Sequence, residues 1–142
     1  MKKNILSLCV MLAITTMAMA QKVKSGSVPA PVKAALMKKY PTAGKATWEK
    51  EKGNFEANWG GKSGEDMSVQ FTPAGDFIEE VVAIAPSALP AGVAAYVKQN
   101  YKGAKISEAG KVTDAKGTLM YEAEVKGKDL VFDDKGKFLK ID

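Results

Sequence analysis

Val28-Pro29-Ala30-Pro31-Val32-Lys33-Ala34-Ala35-Leu36 is echoed by Leu89-Pro90-Ala91-Gly92-Val93-Ala94-Ala95-Tyr96-Val97, and the two runs end on Tyr40 and Tyr101. Starts and tyrosines share one offset of 61 residues (28 to 89, 40 to 101). The same offset returns downstream, where Phe71-Thr72-Pro73-Ala74-Gly75-Asp76-Phe77-Ile78 lies over Phe132-Asp133-Asp134-Lys135-Gly136-Lys137-Phe138-Leu139. Between these blocks Phe55-Glu56-Ala57 answers Tyr121-Glu122-Ala123 at a spacing five residues longer. Separate blocks at one offset mark an internal repeat.

Each copy opens with a helix. Val28, Val32, Leu36 and Tyr40 recur every fourth residue with Ala35 alongside, and Leu89, Val93, Val97 and Tyr101 do so with Tyr96. This is a one-sided apolar stripe at helical spacing. Pro29 and Pro90 stand at the starts, where a missing backbone donor costs little, and Pro41 and Gly103 stand near the ends. Strands follow. Phe55, Ala57 and Trp59 alternate with polar residues, as do Met67, Val69 and Phe71, and Leu119, Tyr121, Ala123 and Val125 alternate with a set that includes Met120. Period-two alternation predicts antiparallel strands with one buried face. Pro73-Ala74-Gly75 and Asp133-Asp134-Lys135-Gly136 read as hairpin turns. The expected fold is α+β, a tandem repeat of a helix plus a four-stranded antiparallel sheet. The first copy spans 28–84, a connector 85–88, and the second copy 89–142. The two sheets are expected to lie side by side and present one broad, partly polar surface.

The N-terminus reads as a targeting segment. Lys2 and Lys3 precede an apolar stretch from Ile5 to Met17, and Ala18-Met19-Ala20 supplies the small residues of a cleavage site. Residues 1–20 are thus expected to be a signal peptide cut after Ala20, with 21–27 a flexible leader and a periplasmic or secreted destination. Cys9, the single cysteine, leaves with the signal, so no disulfide holds the exported chain. Loss of Lys2 and Lys3 lowers the net charge from +5 to +3, and the remaining basic residues are all lysines interspersed with acids. A mildly basic, arginine-free surface argues against nucleic-acid recognition, which leans on bidentate arginine contacts. The exported chain is not expected to span a membrane.

The Val/Leu-Pro helix openings, the apolar runs to a tyrosine and the Gly-x-Phe-apolar endings, all given twice over 28–142, resemble the PepSY-like family. The resemblance implies an exported protein of the kind found in Bacteroidetes, with a tandem α-β layout similar to β-lactamase inhibitor proteins. It brings no catalytic residues. It implies binding of a protein or peptide, with inhibition of an envelope or secreted enzyme as the associated role.

The residues themselves exclude much chemistry. The chain has no histidine. With the cysteine also lost, Ser-His and Cys-His catalysis and the usual zinc sites are unavailable. The paired acids Glu65-Asp66, Glu79-Glu80 and Asp133-Asp134 are adjacent on strands or turns, which points their members to opposite faces. No catalytic residue, metal site or cofactor is expected, and the chain is read as a non-enzyme. The expected function is an exported module that binds another exported protein or peptide. The alternative is a periplasmic binder of a small ligand or envelope component, using an apolar pocket where the two copies meet. Candidate binding residues are Trp48, Phe77, Phe138, Met120 and Trp59, with Val131 beside them, as large apolar groups on the sheet surface. Packing at the sheet edge or between copies is the competing role for all of them, and it suits Trp59 and Val131 better.

Overall fold

The computed structural model describes residues 20–142, so the expected signal peptide falls outside the described residues except for Ala20. The chain runs β1 (Gln21–Val23), a 3-10 turn at Ser25–Ser27, α1 (Ala30–Lys39), β2 (Thr47–Glu51), β3 (Asn54–Trp59), β4 (Met67–Phe71) and β5 (Phe77–Ala83). A second 3-10 turn at Pro86–Ala88 leads to α2 (Ala91–Asn100), β6 (Ile106–Asp114), β7 (Leu119–Val125), β8 (Lys128–Asp133) and β9 (Phe138–Ile141). The strands form one nine-stranded sheet in chain order, antiparallel throughout. The architecture is mostly β, with two helices on one sheet.

Both helices begin directly after a proline held in extended conformation, Pro29 (φ −56°) and Pro90 (φ −54°). They close where Tyr40 N donates to Leu36 O at 2.7 Å and Tyr101 N to Val97 O at 2.9 Å. Helices of ten residues are marginal alone, so packing must hold them. Val28, Val32 and Leu36 bury against Trp48, Phe55, Ala57, Val69 and Phe71, while Val93 and Val97 bury against Ala123, Val125, Leu130 and Phe132. Strand register puts both sets on the same face: Trp48, Ala57, Val69, Glu80, Thr113 and Leu119 are consecutive cross-strand partners. The two helices therefore cover one side of the sheet. The Tyr40 hydroxyl also donates to the Glu80 carboxylate, tying the end of α1 to β5. Burial and that carboxylate raise the phenol above its usual range.

The turns after β4 and β8 dock on the helix starts. Gly75 (φ +89°) lies so close to Pro31 that a Cβ would meet the Pro31 carbonyl oxygen at 2.7 Å, and at Gly136 (φ +82°) a Cβ would meet Pro90 and Gly92 at 3.0 and 3.1 Å. Only glycine satisfies both the backbone angle and the space.

One element differs from expectation. Residues 21–27, expected as a flexible leader, carry β1 and the first 3-10 turn, because Gln21–Val23 pairs with β2 and Val23 packs on the first core.

Phe132→Ala, at a fully buried site, should cost about 3–5 kcal/mol in denaturant unfolding, whereas Leu139→Ala, at a side chain 49% exposed, should stay within about 0.5 kcal/mol. Equal losses at both sites would contradict the assignment of the core.

Candidate functional site

With both helices on one face, the other face of the strands has no helix over it. Its residues follow from the pairing. Glu49, Glu56, Gln70, Glu79 and Asp114 form one cross-strand row, and Lys140, Val131, Glu122, Gly110 and Ala83 form another. This face curls inward. The two-residue turn between β2 and β3 carries Lys52 to the chain end, where its Nζ lies 2.9 Å from Asp142 Oδ1, and Lys140 Nζ reaches Asp142 Oδ2 at 2.9 Å. Val112 and Val131 are only 1% and 2% exposed on this side even though no helix covers them. The curl encloses a cleft of about 920 Å³.

Ten carboxylates and two lysines line that cleft. The protein is positive overall, yet its concave face is strongly acidic. Crowding of like charges shows in the proton affinities. Burial, then the charges of Glu79, Asp129 and Asp142, push Glu122 up to about 7, with Lys140 opposing. Glu79 is raised by burial and by Asp142, Glu56 and Asp114. Glu51, on β2, is raised by burial and feels Asp129 of β8, so the two walls face one another across the cleft. Asp142 is instead held low, by its hydrogen bonds from Lys52 and Lys140. Such an arrangement attracts cations. Among the described residues no three acids converge closely enough to hold a metal ion.

The aromatic candidates lie elsewhere. Trp48 is buried beneath α1 at 5% exposure, and Trp59 packs on the first core with its ring 5.2 Å from that of Tyr40. Phe77 packs edge-on to Phe71 at 6.2 Å under the Lys39 ammonium, and Phe138 stacks on Tyr96 at 4.5 Å. All four turn toward the helices rather than the open face. The reason for Phe77 and Phe138 is a register shift at Gln70/Phe71 and again at Val131/Phe132, which breaks simple alternation just after each turn. Met120 and Val131 do lie on the open face, Met120 half-buried as the cross-strand partner of Val112. The acids that dominate the cleft escaped sequence reasoning. Alternation places Glu56, Glu122 and Glu124 on the wetter side of their strands, but their convergence depends on register across the whole sheet.

Two helices on one face of a single antiparallel sheet, with an open concave face opposite, define a β-lactamase-inhibitor-like fold. The chain belongs to the PepSY-like family: residues 61–140 match the family described as "Putative beta-lactamase-inhibitor-like, PepSY-like". The fold is similar to that of a "putative periplasmic" protein from Bacteroides eggerthii (TM-score 0.66, 23% identity, covering 81% of this chain and 88% of that one). It is also similar to a DUF2874 family protein from Bacteroides uniformis (TM-score 0.65, 23% identity, 80% and 88% covered). A third similar structure is a BLIP-like protein from Bacteroides fragilis (TM-score 0.58, 21% identity, 80% and 85% covered). No curated protein matches the sequence. The family points to a binding module rather than a catalyst. No helix among the described residues is long and apolar enough to cross a membrane.

The raised Glu122 carboxyl gives a signed prediction. The folded chain holds that proton up to about pH 7, whereas an unperturbed glutamate releases it near 4.5, so the folded state binds the proton more tightly between these values. Stability should therefore fall as pH rises from 4.5 to 7, by on the order of 3 kcal/mol from this group. Glu122→Gln should flatten this part of the profile and stabilise the protein at pH 8. Denaturant melts at pH 5 and 8 would read both, and a variant no more stable than wild type at pH 8 would refute the assignment.

Proposed function

We propose that the protein is an exported, non-enzymatic binding module whose acidic concave face receives a lysine- or arginine-bearing segment of another exported protein or peptide. The observation that carries this reading is the cleft with its ten carboxylates and two lysines. A cationic segment relieves the mutual repulsion of Glu79, Glu122 and Asp129, so binding and charge neutralisation reinforce each other. Met120, half-buried, supplies apolar contact on the same face, while Val131, buried there, helps to hold the floor of the cleft. Trp48, Trp59, Phe77 and Phe138 act from behind, by fixing the strands on which the acids stand.

The reading includes a duplicated build, one unit over 28–84 and another over 89–142. In its support, each helix is followed by four strands, and the 3-10 turns, glycine turns and register shifts recur at the offset of 61 (25 to 86, 75 to 136, 70 to 131). Export with cleavage after Ala20 and a periplasmic location are supported by the signal-like N-terminus and by the description of the Bacteroides eggerthii structure. Inhibition of an envelope or secreted enzyme is supported by the family description. Binding of a small apolar ligand is less favoured, because the cleft is lined by carboxylates.

The test is calorimetric titration with a lysine-rich peptide and its glutamate-substituted counterpart at low and physiological salt. The lysine peptide should bind, weaken as salt screens the cleft, and lose about tenfold in affinity on Glu79→Lys or Glu122→Lys. Equal behaviour of the two peptides would overturn the reading.

A further inference from the structure

We infer that β1 is an exchangeable strand, occupying an acceptor edge on β2 that a cationic extended segment of the partner takes over. The inference rests on the acidic face receiving such a segment, and it specifies how the segment enters.

β1 seats Gln21 opposite Lys50, Lys22 opposite Glu49 and Val23 opposite Trp48. Adding 61 to both members of each pair gives 82 with 111, 83 with 110 and 84 with 109. The structure contains these too: Val82 opposes Lys111, Ala83 opposes Gly110, and Ile84 N donates to Ala109 O at 2.9 Å. β1 thus sits on β2 as the end of β5 sits on β6. The molecule itself demonstrates that this edge accepts a strand from outside its own helix-led unit.

The two seats differ in how firmly they are filled. β5 pairs with β6 from Glu79 to Ala83 and is held on its other side by β4. Among the described residues β1 engages β2 through three pairs only, leaving Thr47 and Glu51 without a partner on that side. Gln21 and Lys22 are exposed, and a hollow of about 330 Å³ runs along the junction beside Val23 and Trp48. Edge strands with few buried contacts open at low cost.

Chemistry then selects the occupant. Lys22 lies opposite Glu49 on the open face, and Val23 opposes Trp48 on the helix face. Ala20, two residues before Lys22, lines the acidic cleft with Glu49 and Glu51. A longer strand with lysines two residues apart would set one against Glu49 and the next against Glu51, with a β-branched residue over Trp48. β1 already makes half of this pattern, with Lys22 against Glu49 and Val23 over Trp48, and in that respect is a short internal mimic of the partner. Strand addition of this kind takes affinity from main-chain hydrogen bonds and specificity from alternate side chains.

The probe is a peptide alternating lysine and valine, long enough to span Thr47–Glu51, titrated into the exported chain (residues 21–142, without Cys9) in three forms. These are the unchanged protein, Val23→Asn to loosen β1, and Gln21→Cys with Lys50→Cys to lock it. Cross-strand partners lie within disulfide reach, so the lock can be closed by oxidation and opened by reduction in the same folded protein. Loosening the tethered competitor should raise affinity about tenfold. Oxidising the lock should abolish strand entry, reduction should restore it, and hydrogen exchange should show the β2 amides protected by peptide in the open forms alone. Equal binding to the loosened, locked and unchanged forms would overturn strand exchange while leaving the cationic reading intact. Absence of binding to all three would overturn both.

Discussion

The structure depends on one asymmetry: both helices pack on the same face of a continuous sheet. That choice concentrates the apolar residues of every strand on one side, where Val32 and Val93 meet Phe71 and Phe132 through two separate clusters. The other side must satisfy itself without a helix. It does so by curling, which removes Val112 and Val131 from water and brings carboxylates of β2 within reach of those on β8. Concavity, acidity and openness are thus consequences of where the helices lie.

Such a face has an electrostatic cost, which the two cores must offset. Glu122 sits among like charges and is desolvated besides, so it would rather be protonated near neutrality. The ion pairs of Asp142 with Lys52 and Lys140 are exposed and contribute little stability each, typically within about 1 kcal/mol. Their effect is geometric, since Lys52 links the β2–β3 turn to the chain end and helps to hold the walls together. A surface that carries repulsion at the expense of stability is a common mark of a binding site, where the partner supplies what the free protein lacks.

Much of the fold was legible in the residues because the deciding signals are local. The stripe Val28-Val32-Leu36 and its counterpart Leu89-Val93-Val97 give the helices, and alternation around Ala57, Val69 and Ala123 gives β3, β4 and β7. Strand β2 was implied by the four-strand count but had no residues assigned to it, since Thr47–Glu51 mixes a single buried tryptophan with charges and offers no run of alternating apolar residues. That omission left Trp48 without a face, and the register shifts misled the reading of Phe77 and Phe138. β1 was hidden for a related reason: Gln-Lys-Val is polar, and only pairing with β2 makes it a strand. The acidic site was the least legible part. Glu49, Glu56 and Glu79 lie far apart in sequence and come together through three successive registers, each of which must be known before the row exists.

Charge segregation also explains the lysine-rich composition. A chain whose concave face holds ten carboxylates against two lysines would be strongly anionic if the rest of its surface were balanced. Lysines spread over the helices and outer turns, such as Lys33, Lys38, Lys39 and Lys98, offset this and leave the whole molecule mildly positive. The field is then confined to the cleft, because exposed charges separated by more than about 8 Å are screened at physiological salt, whereas those enclosed by low-dielectric walls are not. A cationic segment is therefore drawn to one place on the molecule, and the surrounding lysines turn it away from the rest.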